Sequence, residues 1–203
     1  MIIIKKAGTI DVKDIVDIHK QAFPDFFLTT LGDSFLSLYY CCMCESPEAV
    51  TLCAYDEDKF VGFATSAYIS HGFNKKLIKQ NFVRFGLMGI RLLITKPWAL
   101  IRLIKNFEKE SPDNNIVDNG EYAELYSIAV SPACQGKGVG KKLLLETEKD
   151  VCEHNKTISL TTDYYNNEKT IGFYHSFGYK DYYEFVTYPN RHMWRMIKEL
   201  VQS

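Results

Sequence analysis

The chain contains 203 residues, which is enough for one sizeable domain with a buried core. Hydrophobic residues make up 46% and charged residues 24%, a balance typical of a globular protein and not of a disordered one. The formal net charge of −1 excludes a polycation that binds nucleic acid through its overall charge, so we expect no nucleic-acid partner.

Six cysteines are present. Cys41, Cys42 and Cys44 lie in an apolar, aromatic-rich stretch, and no second cluster of Cys or His stands at metal-binding spacing. Reduced thiols packed in the core explain this pattern better than disulfides or a metal centre. We therefore expect no metal site.

The sequence also bears on membranes. The start, MIIIKK, lacks the long apolar segment of a secretory signal. The most apolar long stretch, 82–104, carries four cations and is interrupted by Pro97. A bilayer-spanning helix rarely tolerates cations spread along its length. We expect a cytoplasmic protein with no stable membrane insertion.

The predicted elements alternate between strands and helices in an order typical of one α/β domain around a mixed sheet. In chain order we predict a strand at 1–7, a helix at 11–23, a helix at 31–44, a hairpin at 49–68, helices near 75–94 and 97–109, a polar loop at 110–121, a strand at 122–130, a helix at 141–154, a strand at 157–164, a short helix ending at Gly178, and strands near 180–187 and 191–198. We expect one domain, 1–203, in which 69–120 is a helical insert or loop.

Three glycines stand in the segment QGKGVG, residues 135–140, just before the helix predicted at 141–154. The P-loop pattern is absent, and the dinucleotide pattern G-x-G-x-x-G fails because Lys141 replaces the third glycine. A helix N-terminus still exposes unpaired N–H groups and positive dipole potential, which glycines let an anion approach. Together with Lys137 and Lys142, the segment favours phosphate binding over a simple tight turn.

This segment follows a strand ending in Ile-Ala-Val, and the combination resembles motif A of the GCN5-related N-acetyltransferases, the GNAT family. Residues 167–179, NEKTIGFYHSFGY, are similar to motif B of that family, N-x-x-A-x-x-F-Y-x-x-x-G-F, with Thr170 for alanine and Tyr179 for phenylalanine. The resemblance covers residues 2–198 and is weakest in the insert, 69–120. It implies a GNAT-like α/β fold whose mixed, mostly antiparallel sheet is flanked by helices, with a helical insert between the third and fourth strands.

The resemblance implies that an acetyl group moves from acetyl-CoA, the cosubstrate, to a primary amine by direct attack. In the family, backbone groups of the strand before motif A bind the pantetheine arm, and the glycine loop wraps the pyrophosphate. Carried over by position, the cofactor-binding residues are Ile128, Ala129, Val130, Gln135, Gly136, Lys137, Gly138, Val139, Gly140, Lys141 and Asn167. Packing in the sheet core explains the strand residues equally well, and a helix N-cap explains Asn167.

Two side chains are candidate catalytic residues. Tyr174 matches the family tyrosine that protonates the leaving thiolate. Glu124 stands where histone-type members place a glutamate, and is the candidate base for an amine whose pKa is roughly 10.4. Strand alternation predicts one face for Glu124, Tyr126, Ile128 and Val130. A salt-bridged structural glutamate explains Glu124 equally well, and Asp163 is an alternative base.

The insert is strongly basic, because residues 71–110 hold nine Lys or Arg against two acids. Three explanations compete. In the first, the insert is an amphipathic helix pair whose apolar side packs on the sheet. In the second, its basic face, with Arg84 and Arg91 on one side, receives an anionic acceptor. In the third, the insert docks on an anionic membrane or partner. Residues 22–40 are similar to acetyltransferase-like proteins of bacterial surface-polysaccharide pathways, which favours the second explanation.

The acceptor predicted on these grounds is the amine of a small molecule, such as an amino sugar, free or linked to a nucleotide. Acetylation of protein N-termini or lysines is the alternative among enzymes, and it requires an open groove as wide as a peptide. A non-catalytic acyl-CoA-binding module is the alternative outside enzymes. The oligomeric state is left open by the sequence, with a homodimer among the options.

Overall fold

The computed structural model describes residues 1–108 and 118–201, except for the side chains of 106–108. In these ranges, seven strands form one sheet: β1 (Ile2–Lys6), β2 (Ala49–Asp56), β3 (Lys59–Ala67), β4 (Ala123–Val130), β5 (Thr157–Asp163), β6 (Lys180–Thr187) and β7 (Arg191–Glu199). The spatial order is β1-β2-β3-β4-β5-β7-β6. All neighbours are antiparallel except β4 and β5, which are parallel. The mixed, mostly antiparallel sheet confirms the predicted class.

Eight α-helices flank this sheet within the described ranges. They are α1 (Val12–Ala22), α2 (Phe27–Leu31), α3 (Asp33–Glu45), α4 (Phe73–Gln80), α5 (Phe82–Thr95), α6 (Pro97–Glu108), α7 (Val139–Cys152) and α8 (Glu168–Ser176). Helices α4, α5 and α6 lie between β3 and β4, where the sequence predicts a helical insert. Two short 3-10 turns, Thr9–Asp11 and Pro132–Cys134, precede α1 and α7.

The core lies on both faces of the sheet, as strand β2 illustrates. Val50, Leu52 and Ala54 belong to the apolar cluster that α7 and α8 cover, whereas Cys53 and Tyr55 pack in the cluster formed with α1 and α3. Successive residues of a strand point to opposite faces, so one strand serves both clusters. The sheet is therefore a middle layer between two layers of helices.

The helices depart from the predictions in two places. The structure contains α2, a short helix that the sequence pattern did not predict, and the helix predicted at 75–94 is two helices, α4 and α5. The break is at Asn81, whose φ of −112° and ψ of 29° are not helical. Its side-chain amide donates to the Leu77 carbonyl at 3.1 Å, so asparagine ends α4 by bonding a terminal carbonyl. Of the loop predicted at 110–121, residues 110–117 lie outside the described residues.

All six cysteines are free thiols in the structure. Cys42, Cys53 and Cys134 are buried. Burial raises the pKa of the Cys42 thiol to about 11, so this thiol stays protonated and unreactive at neutral pH. Within residues 1–108 and 118–201, no helix is long and apolar enough to cross a bilayer.

Candidate active site

Strands β4 and β5 are paired only where they begin. The parallel ladder joins residues 123–125 of β4 to residues 158–160 of β5. Beyond that ladder β4 continues to Val130 along β3, and no described strand pairs with its other edge. The backbone N–H and C=O groups on this edge of 126–130 are therefore available to a bound molecule.

A β-bulge in β4 marks the point where the two strands diverge. Across the β3–β4 ladder, Thr65 pairs with Ser127 and Ser66 pairs with Leu125, so Tyr126 is the extra residue of β4. A bulge bends its strand and increases the local twist. The divergence of β4 from β5 thus begins at the irregularity that bends β4.

The bulge also changes which face each residue of β4 uses. Glu124 and Tyr126 lie on the side of α4, where Tyr126 stacks on Phe73, with ring centroids 5.8 Å apart. Ile128 and Val130 pack on the opposite face, against the cluster that α7 and α8 cover. The prediction that these four residues share one face is wrong, because one inserted residue shifts the alternation.

The connection from β4 to α7 exposes a row of backbone donors. Gly136 has φ 76° and Gly138 has φ 77°, a left-handed conformation that glycine adopts without strain. The first bond inside α7 runs from Lys142 N to Gly138 O at 3.1 Å. Among the described residues, the N–H groups of 136–141 donate to no backbone acceptor. A methyl group added at Gly136 or Gly138 would meet no atom within 4 Å, so the loop faces open space.

The side chains of the loop complement these donors. Gln135, Lys137 and Lys141 are exposed, and the Lys141 ammonium lies 5.8 Å from the centroid of the Phe177 ring. Val139 is buried in the core and fixes the first turn of α7, which Gly140 continues. Bare N–H groups, a helix N-terminus and two lysines match a pyrophosphate in charge and geometry. The residues present fit the diphosphate of coenzyme A.

Tyr174 lies in α8 and is only 7% exposed. It packs in the same apolar cluster as Ile128 and Val130, with its ring edge-on to that of Tyr179 at 5.5 Å. Burial raises the pKa of Tyr174 above the ordinary value for tyrosine, so the hydroxyl stays protonated at neutral pH. A protonated hydroxyl can donate a proton.

Asn167 occupies the N-cap position of α8, but its side chain makes no cap hydrogen bond. Its amide nitrogen instead donates to Thr162 Oγ1 at 2.6 Å and to the Asp163 carbonyl at 3.0 Å. The side chain therefore ties the start of α8 to the end of β5. The alternative that Asn167 caps the helix through its side chain is not what the structure shows.

Glu124 is 4% exposed and belongs to a buried polar network. Its Oε1 accepts a hydrogen bond from Arg195 Nη1 at 3.0 Å, and its Oε2 accepts one from the Ser70 hydroxyl. Arg195 Nη1 also donates to Ser159 Oγ at 3.1 Å. The salt-bridged glutamate that the sequence allowed is thus present, on the side of the sheet that faces the insert and just before the bulge.

The second carboxylate beside Arg195 is that of Asp118. Its Oδ2 lies 3.7 Å from Arg195 Nε and accepts hydrogen bonds from the Tyr122 hydroxyl, at 2.5 Å, and from the Tyr183 hydroxyl. Burial alone would raise the pKa of Asp118, but these hydroxyls, the Gly120 amide and the charge of Arg195 lower it below its ordinary value. Two carboxylates thus compensate one buried guanidinium.

Sequence reasoning did not identify this network. A charged residue in an apolar strand drew attention to Glu124, and Arg195 in HMWRMIKE carries the same signal in β7. Their pairing depends on strand order, which places β5 between β4 and β7 and brings residues 71 positions apart within hydrogen-bonding distance. Asp118 lies in a segment that was predicted only as a polar loop.

The other candidate base, Asp163, is bound to an arginine at the end of β5. Its two oxygens accept hydrogen bonds from Arg191 Nε at 2.6 Å and Nη2 at 2.7 Å. The Arg191 guanidinium in turn lies 4.4 Å over the ring of Phe26, in the connection between α1 and α2. Asp163 therefore joins the β6–β7 hairpin to the first helices, and is separate from the Glu124 network.

A histidine near β4 occupies the core instead of the site surface. His19 Nδ1 lies 2.6 Å from the Tyr40 hydroxyl, which donates to Ser127 Oγ at 3.4 Å. Burial lowers the pKa of His19 to about 4, so the imidazole is neutral at physiological pH. This chain of polar groups ends at Ser127, the residue after the bulge.

Comparison with known proteins agrees with the geometry of the site. A sequence model of the Acetyltransferase (GNAT) family matches residues 12–179. No curated protein sequence matches the chain significantly. The match includes the free edge of β4, the glycine loop and α8, which are the parts that the two motifs predicted.

Solved acetyltransferases have a similar fold over nearly the whole chain. A ribosomal-protein-alanine N-acetyltransferase from Brucella melitensis is 17% identical, with a TM-score of 0.63, and the alignment covers 98% of this chain and 99% of that one. For aminoglycoside 6'-acetyltransferase type Ii the identity is 20%, the TM-score 0.60 and the coverage 99% of each chain. The PaiA N-acetyltransferase of Thermoplasma acidophilum, solved with coenzyme A, is 15% identical, with a TM-score of 0.58 and coverage of 98% and 99%.

These identities are low, so the structural likeness by itself establishes the fold. The family match is the stronger finding, because it spans more than half of the chain and contains both the glycine loop and α8. The chain belongs to the GNAT acetyltransferase family and is an acyltransferase.

Proposed function

We propose that the protein transfers the acetyl group of acetyl-CoA to the primary amine of a small molecule. The observation that carries this proposal is the continuity between two sets of free backbone groups. The open edge of β4 at 126–130 leads directly into the unbonded amides of 136–141. An elongated cofactor with an amide-bearing arm and a diphosphate matches this sequence of groups. Acetyl-CoA, when bound, supplies the acetyl group as an activated thioester.

The backbone does most of the binding in this proposal. Residues Ile128, Ala129 and Val130 offer N–H and C=O groups, while their side chains are held in the two cores and keep the edge rigid. The amides of 136–141, the dipole of α7 and the ammonium groups of Lys137 and Lys141 hold the diphosphate. Gln135 lies at the start of this loop, and Asn167 ties the start of α8 to the end of β5.

We assign the proton donor to Tyr174. The leaving thiolate needs only modest protonation, since a thiol of the cysteine type has a pKa of roughly 8.5. The Tyr174 hydroxyl is protonated at neutral pH and lies on the face of the sheet that Ile128 and Val130 share. Because α8 is anchored to β5 through Asn167, the hydroxyl has a fixed position relative to the gap between the strands.

We assign Glu124 to the acceptor amine. Its carboxylate carries negative charge on the opposite face of the sheet, next to the bulge at Tyr126. Arg195 and Ser70 each hold one oxygen, so the carboxylate is oriented and is not free to move toward a partner. We propose that it attracts the protonated amine and accepts its proton through the gap, directly or through water.

The arrangement around the first helices supports a small acceptor. Side chains from the insert and from the β6–β7 hairpin contact the α1–α2 region and each other through cation–π pairs. The three pairs are Arg102 over Phe27 at 4.7 Å, Lys105 over Tyr188 at 4.4 Å and Arg191 over Phe26 at 4.4 Å. These contacts join the three elements to one another, which favours a small acceptor over a peptide. We propose that 69–120 is the acceptor-side element of the domain.

An amino sugar remains the acceptor that we favour, and the structure bears on whether it carries a diphosphate. Arg84 donates to Glu45 at 2.7 Å, and this bond raises the pKa of its guanidinium. Arg91 is exposed, so of the two arginines predicted on one face only Arg91 is available to an anion. A free amino sugar therefore fits better than a nucleotide-linked one.

The cofactor part of this proposal is tested by calorimetry with acetyl-CoA. A side chain at Gly138 strains a left-handed residue and enters the space of the diphosphate, so Gly138→Ala should weaken binding by about tenfold or more. Gly86→Ala is the matched control, since Gly86 is an exposed helical residue away from the loop, and its affinity should equal that of the wild type. Equal affinities of Gly138→Ala and wild type would refute the assignment of the loop.

The acceptor part needs a separate experiment. Initial rates with acetyl-CoA are measured on free amino sugars, nucleotide-linked amino sugars, and peptides with a free N-terminus or a lysine. We expect kcat/KM to be highest for a free amino sugar. Preference for a peptide would overturn the small-molecule assignment, and tight acetyl-CoA binding without turnover on any amine would indicate a binding module.

A further inference from the structure

The outer surface of the insert is apolar. Large hydrophobic side chains on α5 and α6 that are each at least 52% exposed form what we call the outer apolar face: Phe82, Val83, Leu87, Ile90, Leu93, Ile94, Trp98, Ile101 and Ile104. Single exposed hydrophobic residues are common on soluble proteins and need no explanation. Nine such residues on two consecutive helices do need an explanation.

The two helices turn these residues away from the protein together. Leu92 of α5 and Ala99 of α6 are buried in one cluster with Leu31 and Phe35, which belong to α2 and α3. With 3.6 residues per turn, Ile90 and Ile94 of α5 lie on the side opposite this cluster. One apolar side of α5 and α6 is thus buried against the domain, but a second apolar surface remains in solvent, and packing on the sheet does not account for it.

The charge beside this face is positive. No Asp or Glu occurs between residues 73 and 105. Arg91 follows Ile90 directly in α5, is exposed, and has no ion-pair partner among the described residues. Lys75 and Lys79 of the preceding helix α4 are also exposed and form no ion pair within the described ranges. An occupant of the outer apolar face must therefore tolerate cations at its edge.

We propose that the outer apolar face binds the surface of an anionic lipid bilayer. Interfacial helices combine aromatic and aliphatic side chains on one side with Lys and Arg beside them, and they lie in the plane of the headgroups. Trp98 and Phe82 are side chains of the kind enriched at that depth. At about 1.5 Å per residue, the 14 residues of α5 are too short to span the roughly 30 Å of hydrocarbon, so the helix lies on the bilayer.

The charge distribution selects this occupant over a second copy of the chain. A two-fold dimer through this face would place the same patch of both subunits in contact. Arg91 would then meet the cations of an identical face, with no acid between residues 73 and 105 of either subunit to balance them. An anionic lipid surface supplies the missing charge, and each Lys or Arg near it contributes favourably.

The bilayer would lie next to the acceptor side of the enzyme. The Lys96 ammonium of the α5–α6 connection donates to the Thr30 carbonyl of α2 at 2.8 Å, and Arg102 lies over Phe27. The insert, which we place on the acceptor side, is thus attached to α2. The membrane proposal stands on the exposed residues alone and does not depend on the proposed acceptor.

The experiment is co-sedimentation of the full-length protein with vesicles. Vesicles of equal parts phosphatidylglycerol and phosphatidylcholine should bind the protein, vesicles of phosphatidylcholine alone should bind it less, and added salt should weaken the binding. The double variant Ile90→Glu, Ile94→Glu should lose about tenfold or more in apparent affinity. Arg91→Glu should lose about fivefold or more while leaving the apolar side chains in place.

The matched control is Ile10→Glu, because Ile10 is 88% exposed but lies far from the insert in the chain, before α1. Its vesicle binding should equal that of the wild type. Trp98 supplies a second readout, since its fluorescence should shift to the blue on anionic vesicles, and Trp98→Phe should abolish the shift. Melting temperatures and acetyl-CoA binding verify that each variant is folded.

Two results would overturn the proposal. One is equal binding of the wild type and the double variant to anionic vesicles, or no binding by either. The other is a dimer of the wild type in analytical ultracentrifugation that the double variant converts to a monomer, without vesicle binding by the wild type. That outcome would assign the outer apolar face to a second copy of the chain.

Discussion

The loop before α7 and the outer side of the insert are both incomplete surfaces, but of opposite kinds. The loop exposes backbone N–H groups beside lysines, whereas α5 and α6 expose hydrophobic side chains beside lysines and arginines. Exposed amides call for a polar ligand with acceptor oxygens, and exposed apolar side chains call for an occupant that removes them from water. The loop is thus suited to bind a small charged molecule, and the outer side of the insert is suited to bind an extended surface.

The two regions also differ in what holds them in place. The loop is fixed by Val139, which is buried in the core, and by strand β4, whose side chains pack on both faces of the sheet. The insert is fixed by a smaller cluster centred on Leu92 and Ala99 and by cation–π pairs to α2 and the β6–β7 hairpin. Changes on the loop side should therefore affect chemistry, and changes on the insert side should affect docking or stability.

The largest effect is expected at Tyr174 on the loop side. Tyr174→Phe keeps the buried ring and removes the proton donor, so kcat should fall by about 10²–10⁴ while acetyl-CoA affinity is unchanged. The measurement is steady-state kinetics together with calorimetry. Tyr179→Phe is the control, as it removes a neighbouring buried hydroxyl of the same cluster, and it should retain wild-type kcat. A Tyr174→Phe enzyme with full kcat would show that the hydroxyl is not the donor.

Two adjacent leucines of α5 provide the test on the insert side. Leu92 is 3% exposed and Leu93 is 60% exposed. Leu92→Ala creates a cavity in the cluster that anchors the insert and should lower the free energy of unfolding by about 2–5 kcal/mol. Leu93→Ala should change it by less than about 0.5 kcal/mol. Urea unfolding of both variants measures the difference, and equal losses would mean that α5 is buried on both sides.

The stability of the domain should fall in acid because of His19, which lies in α1. The pKa of His19 is lowered to about 4 by burial, so below about pH 6.5 the unfolded chain binds a proton that the folded chain does not. The free energy of unfolding is therefore highest above pH 6.5 and should fall by about 3 kcal/mol by pH 4. Urea unfolding across this range should show the loss in the wild type.

The control for this titration is His19→Phe, which replaces the imidazole by a ring without a titratable group. Its free energy of unfolding should lack the His19 contribution between pH 6.5 and 4. Asp118→Asn should keep that contribution, because the pKa of Asp118 is lowered from 3.8 and its titration affects stability only in more acid solution. An identical acid response of wild type and His19→Phe would contradict the burial of a neutral His19.

The smallest effect is expected from the two carboxylates beside Arg195. In Glu124→Gln the amide oxygen can still accept from Arg195 and the amide NH2 can donate to the Ser70 hydroxyl, but the charge is lost, so kcat should fall by about tenfold and its alkaline pH profile should shift. Asp118→Asn removes a carboxylate from the same arginine on its other side. Both variants should lose about 1–3 kcal/mol of stability, but only Glu124→Gln should lose activity. Equal kinetics in the two would leave Glu124 a purely structural role.

The loop side was accessible from the sequence because its function depends on residue type at fixed spacing. The backbone is left-handed at positions 136 and 138, which favours glycine there, and the buried Val139 marks the start of the helix. The strand and helix that frame them have strong patterns of their own. Local chemistry and local structure therefore pointed to the same place, and the fold class followed from the order of the elements.

The remaining features depend on contacts between distant residues. The partner of Glu124 could not be predicted, because the strand order that brings Arg195 beside it is a property of the whole sheet. The bulge at Tyr126 leaves no pattern in an apolar strand, so the predicted alternation failed there. For α5, apolar residues occur nearly all around the helix, and such a pattern does not show which side meets the protein.

The extra residue in β4 decides which face of the sheet each later side chain of this strand occupies. Deleting Tyr126 would make Leu125 and Ser127 neighbours with their present partners, so Ile128 and Val130 would keep their face and the bend of β4 would be lost. Inserting a further residue between Ser127 and Ile128 would instead turn Ile128 and Val130 toward α1 and α3 and move Ala129 under α7. An insertion there should consequently be far more harmful than a substitution, since it inverts the end of the strand that leads into the loop.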